Sequence, residues 1–398
     1  MSRSDLRDSR PVLVTGGAGF IGCNIANALA ERGHEVLVYD ALSRPGVEKN
    51  LAWLKERHGE QVQAIVADVR DEDALARAAR EAQAVFHMAA QVAVTTSMVD
   101  PREDFEINIR GTLNLLDAVR LKGDGTPVIF ASTNKVYGDL ADIDFRLEGE
   151  RYVAEDAAVA RAGISETRPL DFHTPYGCSK GAADQYVLDY ARSFGMRTAV
   201  LRMSCIYGLR QMGNEDQGWV AHFLIRALEG KPITLYGDGY QVRDILDVSN
   251  AVEAYLKAWE QIDRVKGRAF NLGGGPSNAV SLRELLAHIS ALLGRELDVR
   301  YSDWRAGDQR YFVADTSAIR DALGLSPAVP WKEGVALLAE WLRESRHLPP
   351  LPPSLEGRGW GWVASEASPP AELEGAHSGI EPERSRPTPN PSLQGRGN

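Results

Sequence analysis

Short apolar, β-branched runs recur through the first half of the chain. Each is followed by a stretch that turns apolar only at every third or fourth position. Val12–Thr15, Val36–Tyr39, Val62–Val66, Val85–His87 and Val128–Phe130 are such runs. Apolar on both faces, they read as buried strands. Between them, Phe20–Arg32, Glu72–Arg80 and Phe105–Leu121 carry a helical period. A helix over Tyr176–Phe194 leads into a sixth strand, Thr198–Leu201. Strands alternating with helices imply an α/β doubly wound parallel sheet of the Rossmann-like kind.

Beyond Gly208 the alternation weakens. Ile233–Leu235, Phe270–Leu272 and Val299–Tyr301 are short strand candidates among helices such as Ala251–Glu260 and Leu282–Leu293. The expected organisation is a sheet domain over 1–207 with an insert at about 139–174, a smaller region over 208–346, and a tail over 347–398. Excursions from the smaller region back to the sheet are anticipated.

Composition refines this picture. Ten of the 20 prolines fall in the last 50 residues, with two near copies of one phrase, Pro353–Gly359 and Pro391–Gly397. That stretch cannot bury a core and reads as a disordered tail, with a polyproline partner-binding segment as the alternative. A net charge of −10 argues against nucleic-acid or anionic-membrane partners. Cys23, Cys178 and Cys205 are too few and too scattered for a disulfide framework or a zinc site, which suits a reducing cytoplasm. No run of about 18 apolar residues suggests a membrane span, and the opening residues do not read as a secretory signal.

Thr15–Gly22 follows the first strand and opens the first helix. Gly16 suits the turn, Gly19 lets backbone N–H groups approach a pyrophosphate, and Gly22 permits close helix–sheet packing. Phe20 and Ile21 would supply first-turn N–H groups. Asp40 ends the second strand about 20 residues on, where a carboxylate accepts ribose hydroxyls and repels a 2′-phosphate. That favours NAD; Arg44 keeps NADP open, and Asp40 could instead cap the following turn. Asp68 and Val69 could bracket the adenine. Ala89, Ala90 and Gln91 would let a cofactor lie against the strand ends. His87, inside a strand, reads as a core histidine.

Tyr176 and Lys180 lie four residues apart at a helix start, with Pro175 in the first turn. A lysine ammonium and a cationic nicotinamide beside a phenol would lower its pKa and make it a base. A hydroxyl partner is expected at the end of the fifth strand, where Thr133 is preferred and Ser132 is left to satisfy its surroundings. Cys178, about 200° from Tyr176, should face away.

Taken together, TGGAGFIG, the acidic end of strand two, HMAA, STNKVYG and YGCSK resemble the extended short-chain dehydrogenases/reductases that act on nucleotide sugars. The resemblance covers roughly residues 11–345. It implies catalytic roles for Thr133, Tyr176 and Lys180, a cofactor-side role for Asn108, NAD as cofactor, and a nucleoside-diphosphate sugar as substrate. It also implies a homodimer or homotetramer packed through helices near 101–121 and 176–194. Dehydratases of this family carry Asp-Glu directly after the catalytic Thr; Asn134-Lys135 stands here, so epimerisation is favoured over 4,6-dehydration. The phrases at 133–139, 179–186 and 216–219, with the long insert, resemble members that epimerise C2; C4 epimerisation is the near rival. Arg243 and Arg310 are the expected diphosphate arginines, with Ser204, Cys205, Arg210 and Gln217 beside the substrate. Cys205 replaces a common asparagine and leaves base and sugar open. An NAD-binding sensor or scaffold without turnover is the non-enzymatic alternative.

Overall fold

The computed structural model describes residues 10–305 and 307–348. The expected tail, apart from His347 and Leu348, lies outside the described residues. Seven strands form the main sheet: β1 (Val12–Thr15), β2 (Val36–Asp40), β3 (Val62–Val66), β4 (Ala84–His87), β5 (Val128–Thr133), β6 (Thr198–Met203) and β7 (Arg268–Leu272). Their order is β7-β6-β5-β4-β1-β2-β3, all neighbours parallel. The chain reverses direction across the sheet at β1 and β4, so their carboxyl ends open the crevice where such sheets bind ligands.

One apolar layer packs helices Phe20–Glu31 and Val248–Glu260 on one face, around Ile25, Leu29 and Tyr255. The other packs Glu72–Glu81, Gly111–Lys122 and Thr174–Phe194 around Leu75, Leu115 and Val187. The doubly wound expectation therefore holds, and β7 is the anticipated excursion back to the sheet.

A second sheet is centred on Val242–Asp247, which pairs with Cys205–Tyr207, Ala279–Ser281 and Tyr311–Phe312. Ile233–Tyr236 pairs in parallel with Val299–Ser302. A third core, around Leu224, Leu285 and Leu338, fills this part.

The insert forms a hairpin, Phe145–Glu148 with Arg151–Ala154, then a short helix, Ala157–Ala162. It docks on edge strand β7, where the Asn271 N–H donates to Glu166 at 2.7 Å and its side-chain amide to the Ile164 carbonyl at 2.8 Å. Its hairpin is tied to the smaller region by the Arg151–Glu284 pair at 2.6 Å.

Helix Phe105–Leu121 is not continuous. A π-helical turn, Glu106–Arg110, separates Pro101–Phe105 from Gly111–Lys122. The extra residue turns Asn108 inward, and the Thr112 hydroxyl donates to the Asn108 carbonyl at 2.6 Å.

Candidate active site

Two adjoining clefts open at the carboxyl ends of the strands, and Phe20, Ile21, Ser132, Tyr176 and Gln217 line both. The first is built on the β1 turn. Gly16 has φ +68°, and a Cβ there would lie 2.7 Å from the Ala89 nitrogen. At Gly22 a Cβ would sit 2.1 Å from the Gly16 oxygen, so helix and turn touch backbone to backbone. No side chain caps the Phe20–Glu31 helix. Its first N–H groups therefore face the cleft beside Gly16, Gly19, Phe20, Ile21 and Gly22, as a pyrophosphate requires.

Asp40 lines the same cleft. It accepts from the Ala18 N–H at 3.0 Å and the Leu42 N–H at 2.8 Å, so it fixes both turns and keeps lone pairs for a diol. Asp68 and Val69 line the far end, with Asp68 held by Arg70 at 2.7 Å. Ala89 and Ala90 form the floor. Arg44 lines this cleft as well and donates to Gln217 at 3.0 Å. The donors and the carboxylate fit NAD.

Gln91 and Asn108 differ from the expected cofactor contacts, because neither lines the cleft. The Gln91 side chain folds onto Ala93. Asn108 accepts from the Gln91 N–H at 2.9 Å, donates to its carbonyl at 3.0 Å and donates to the Ser179 hydroxyl at 3.0 Å. It clamps the loop behind the cleft to the helix bearing Tyr176.

Thr133, Tyr176 and Lys180 come together where the clefts meet. Pro175 sits in the first turn of Thr174–Phe194, and Tyr176 lines the second cleft together with Thr133. Lys180 donates to the Ala131 carbonyl at 2.6 Å and lies 4.2 Å over the Phe130 ring. Without a cationic nicotinamide beside it, the phenol is not lowered. Burial pushes Tyr176 up to about 12, with the nearby Thr133 hydroxyl opposing, while burial pushes Lys180 down to about 7, against Asp184 and Asp104. Both side chains are largely buried, and the lysine is directed to the strand rather than the phenol. His87 is a core residue, bonded to Thr15 at 2.6 Å and Thr112 at 3.1 Å. Ser132 donates to Asp184 at 2.7 Å, and Cys178 is exposed.

The second cleft carries Thr133, Ser204, Cys205, Gln217 and Arg243. Ser204 donates to the Asp244 carbonyl at 3.0 Å, and Trp219 donates to the Cys205 sulfur at 3.4 Å. Two expected substrate contacts lie elsewhere. Arg210 stacks 3.8 Å over Trp53. Arg310 is exposed, near the rings of Tyr152 and Trp304. Both positions are set by aromatic partners outside the cleft.

Arg305 enters the cleft instead, 3.7 Å over the Tyr236 ring and paired with Glu215 at 3.3 Å. It opens the same Arg305–Arg310 phrase, so the signal was one turn of loop away from the expected arginine. Lys135 also lines this cleft. No residue of the 139–174 insert lines either cleft among the described residues.

Residues 12–273 match the NAD dependent epimerase/dehydratase family. A CDP-paratose 2-epimerase of Salmonella typhi is 42% identical over 339 residues, covering 83% of this chain and 98% of that protein. A dTDP-glucose 4,6-dehydratase of Xanthomonas campestris pv. campestris is 32% identical, covering 83% and 92%. The solved UDP-glucose 4-epimerase of Thermotoga maritima with UDP-glucose superposes with a TM-score of 0.73 at 31% identity, covering 84% and 99%. The Thermus thermophilus UDP-glucose 4-epimerase complex with NAD gives 0.70 at 34%, with the same coverage. The chain belongs to the NAD dependent epimerase/dehydratase family, and NAD is its cofactor. Within that family it is a nucleotide-sugar epimerase.

Proposed function

We propose that the protein inverts C2 of a CDP-linked sugar, as the name of its 42%-identical relative describes. The observation that carries the chemistry is that Tyr176 and Thr133 line the same cleft where it adjoins the first, with Lys180 buried behind them. Bound in the first cleft, NAD⁺ would supply reversible hydride transfer at the sugar carbon. Tyr176 receives the hydroxyl proton as the carbonyl forms and gives it back on return. Thr133 holds the reacting oxygen on the phenol. Lys180 keeps the helix start against β5 through Ala131 and serves the cofactor ribose.

Gly16, Gly19, Phe20, Ile21 and Gly22 take the pyrophosphate, Asp40 the adenosine ribose, and Asp68 with Val69 the adenine. The region 208–346 supplies Arg243 and Arg305 for the diphosphate, with Ser204, Cys205 and Gln217 beside it. Asn134 and Lys135 offer no carboxylate pair to expel water from C5–C6. The tyrosine needs a positive neighbour to ionise; the oxidised nicotinamide ring provides it only with cofactor bound.

A second reading, C4 epimerisation of a UDP-sugar, is supported by the likeness to the Thermotoga enzyme. Incubation with CDP-, UDP- and dTDP-linked hexoses, followed by NMR of the products, separates the two. Inversion at C2 of a CDP-sugar is the expected result. Inversion only at C4, or loss of water, would replace it.

A further inference from the structure

The cations of the substrate-side cleft are unequally satisfied. Arg243 already has a carboxylate partner, donating to Asp308 at 2.6 Å as well as to the Val242 carbonyl at 2.8 Å and the Gln309 carbonyl. Lys135 has none. Its ammonium carries three donors and uses two, on the Gly307 carbonyl at 3.2 Å and the Gln309 side chain at 3.3 Å. No carboxylate among the described residues lies within ion-pair distance of it. Burial and the Arg243 charge push its pKa down to about 8, with Asp308 and Cys205 opposing. A cation held this way is stabilised by any anion that reaches its third N–H.

The position of Lys135 specifies which anion. Its backbone N–H donates to the Thr133 hydroxyl at 3.3 Å, so the residue starts beside the reacting oxygen. Its ammonium shares Gln309 and Asp308 with Arg243 as neighbours. It therefore spans the interval between the chemistry and the diphosphate arginine. In a nucleoside-diphosphate sugar that interval is short for C2, because C2 is bonded to C1 and C1 bears the phosphate.

We propose that Lys135 is a specificity-determining substrate contact, its third N–H donating to the phosphate next to the sugar and so registering C2 against Thr133 and Tyr176. This assignment rests on the nucleotide-sugar reading above. It gives Lys135 a task that an exclusion of dehydration alone would not require.

The test is calorimetric titration of the full-length protein and its Lys135→Met and Lys135→Arg variants with CDP and UDP, and with CMP and UMP. Bound NAD and melting temperature are measured on each variant to establish that it is folded. Lys135→Met should weaken diphosphate binding about tenfold and leave the monophosphates unchanged, with Lys135→Arg recovering most of the loss. Diphosphate affinity of the unmodified protein should fall as the pH rises above about 8, where the ammonium loses its proton, and this slope should vanish in Lys135→Met. Unchanged diphosphate affinity in Lys135→Met, or equal losses for mono- and diphosphates, overturns the assignment. A folded, NAD-loaded unmodified protein that binds no nucleoside diphosphate at all contradicts the nucleotide-sugar reading itself and the assignment with it.

Discussion

Tyr176 and Lys180 share a helix face, yet burial drives each toward its neutral form. In the free protein at pH 7 the phenol keeps its proton. Removing the hydroxyl by Tyr176→Phe should lower kcat by about 10²–10⁴ while bound NAD, read by absorbance after denaturation, stays at the unmodified level. Loss of NAD together with activity would give Tyr176 a binding role instead. His87 sets an acid limit. Burial and Lys180 hold its pKa down to about 3, against an ordinary 6.5. Between those values the unfolded chain takes a proton that the folded chain refuses, so stability falls as pH falls, by up to about 1.4 kcal/mol per unit. Urea unfolding at pH 7, 6 and 5 should show this slope, and His87→Gln should flatten it. That Thr133, Tyr176 and Lys180 meet at the strand ends was legible from STNKVYG and YGCSK because each residue type is tied to a turn or strand end. That Gln91, Asn108, Arg210 and Arg310 do not line the clefts was not legible, because loop direction and aromatic stacking leave no periodic trace.

Elements in this fold are locked to one another through buried polar ties as well as apolar layers. Arg202 on β6 and Asp184 on the Thr174–Phe194 helix pair at 2.9 Å, with side chains 5% and 0% exposed. Arg202 also donates to the Tyr137 hydroxyl at 3.0 Å, which donates to Asn271 on β7 at 2.8 Å. Truncating one partner strands a buried charge, so Asp184→Ala should cost about 3–5 kcal/mol in urea unfolding. A cost below about 1 kcal/mol would mean the helix is held by its apolar face alone. Strands of pure Val, Ile and Leu were readable in the sequence. Val242–Asp247 was not, because Arg243 and Asp244 sit in a wholly buried strand whose pattern looks polar. The π turn at Glu106–Arg110 escaped for the same kind of reason, since one added residue barely disturbs a helical period.

At the scale of the whole molecule, helices on one side leave large apolar side chains uncovered. Val99 is 85% exposed, with Met98, Phe105 and Tyr186 also open. We expect these surfaces to pair with a second copy, Pro101–Lys122 and Thr174–Phe194 meeting their counterparts. Sedimentation should give at least twice the chain mass, and Val99→Glu with Tyr186→Glu should give the monomer. An unmodified protein that sediments as a monomer would leave the apolar face unexplained by self-association. The central chemical claim is that hydrogen leaves and returns to one carbon without visiting solvent. A CDP-sugar labelled with deuterium at C2, incubated with the enzyme in ordinary water and followed by NMR, tests it most directly. Retention of the label at C2 of the inverted product is the predicted result; its exchange for solvent hydrogen would contradict the account.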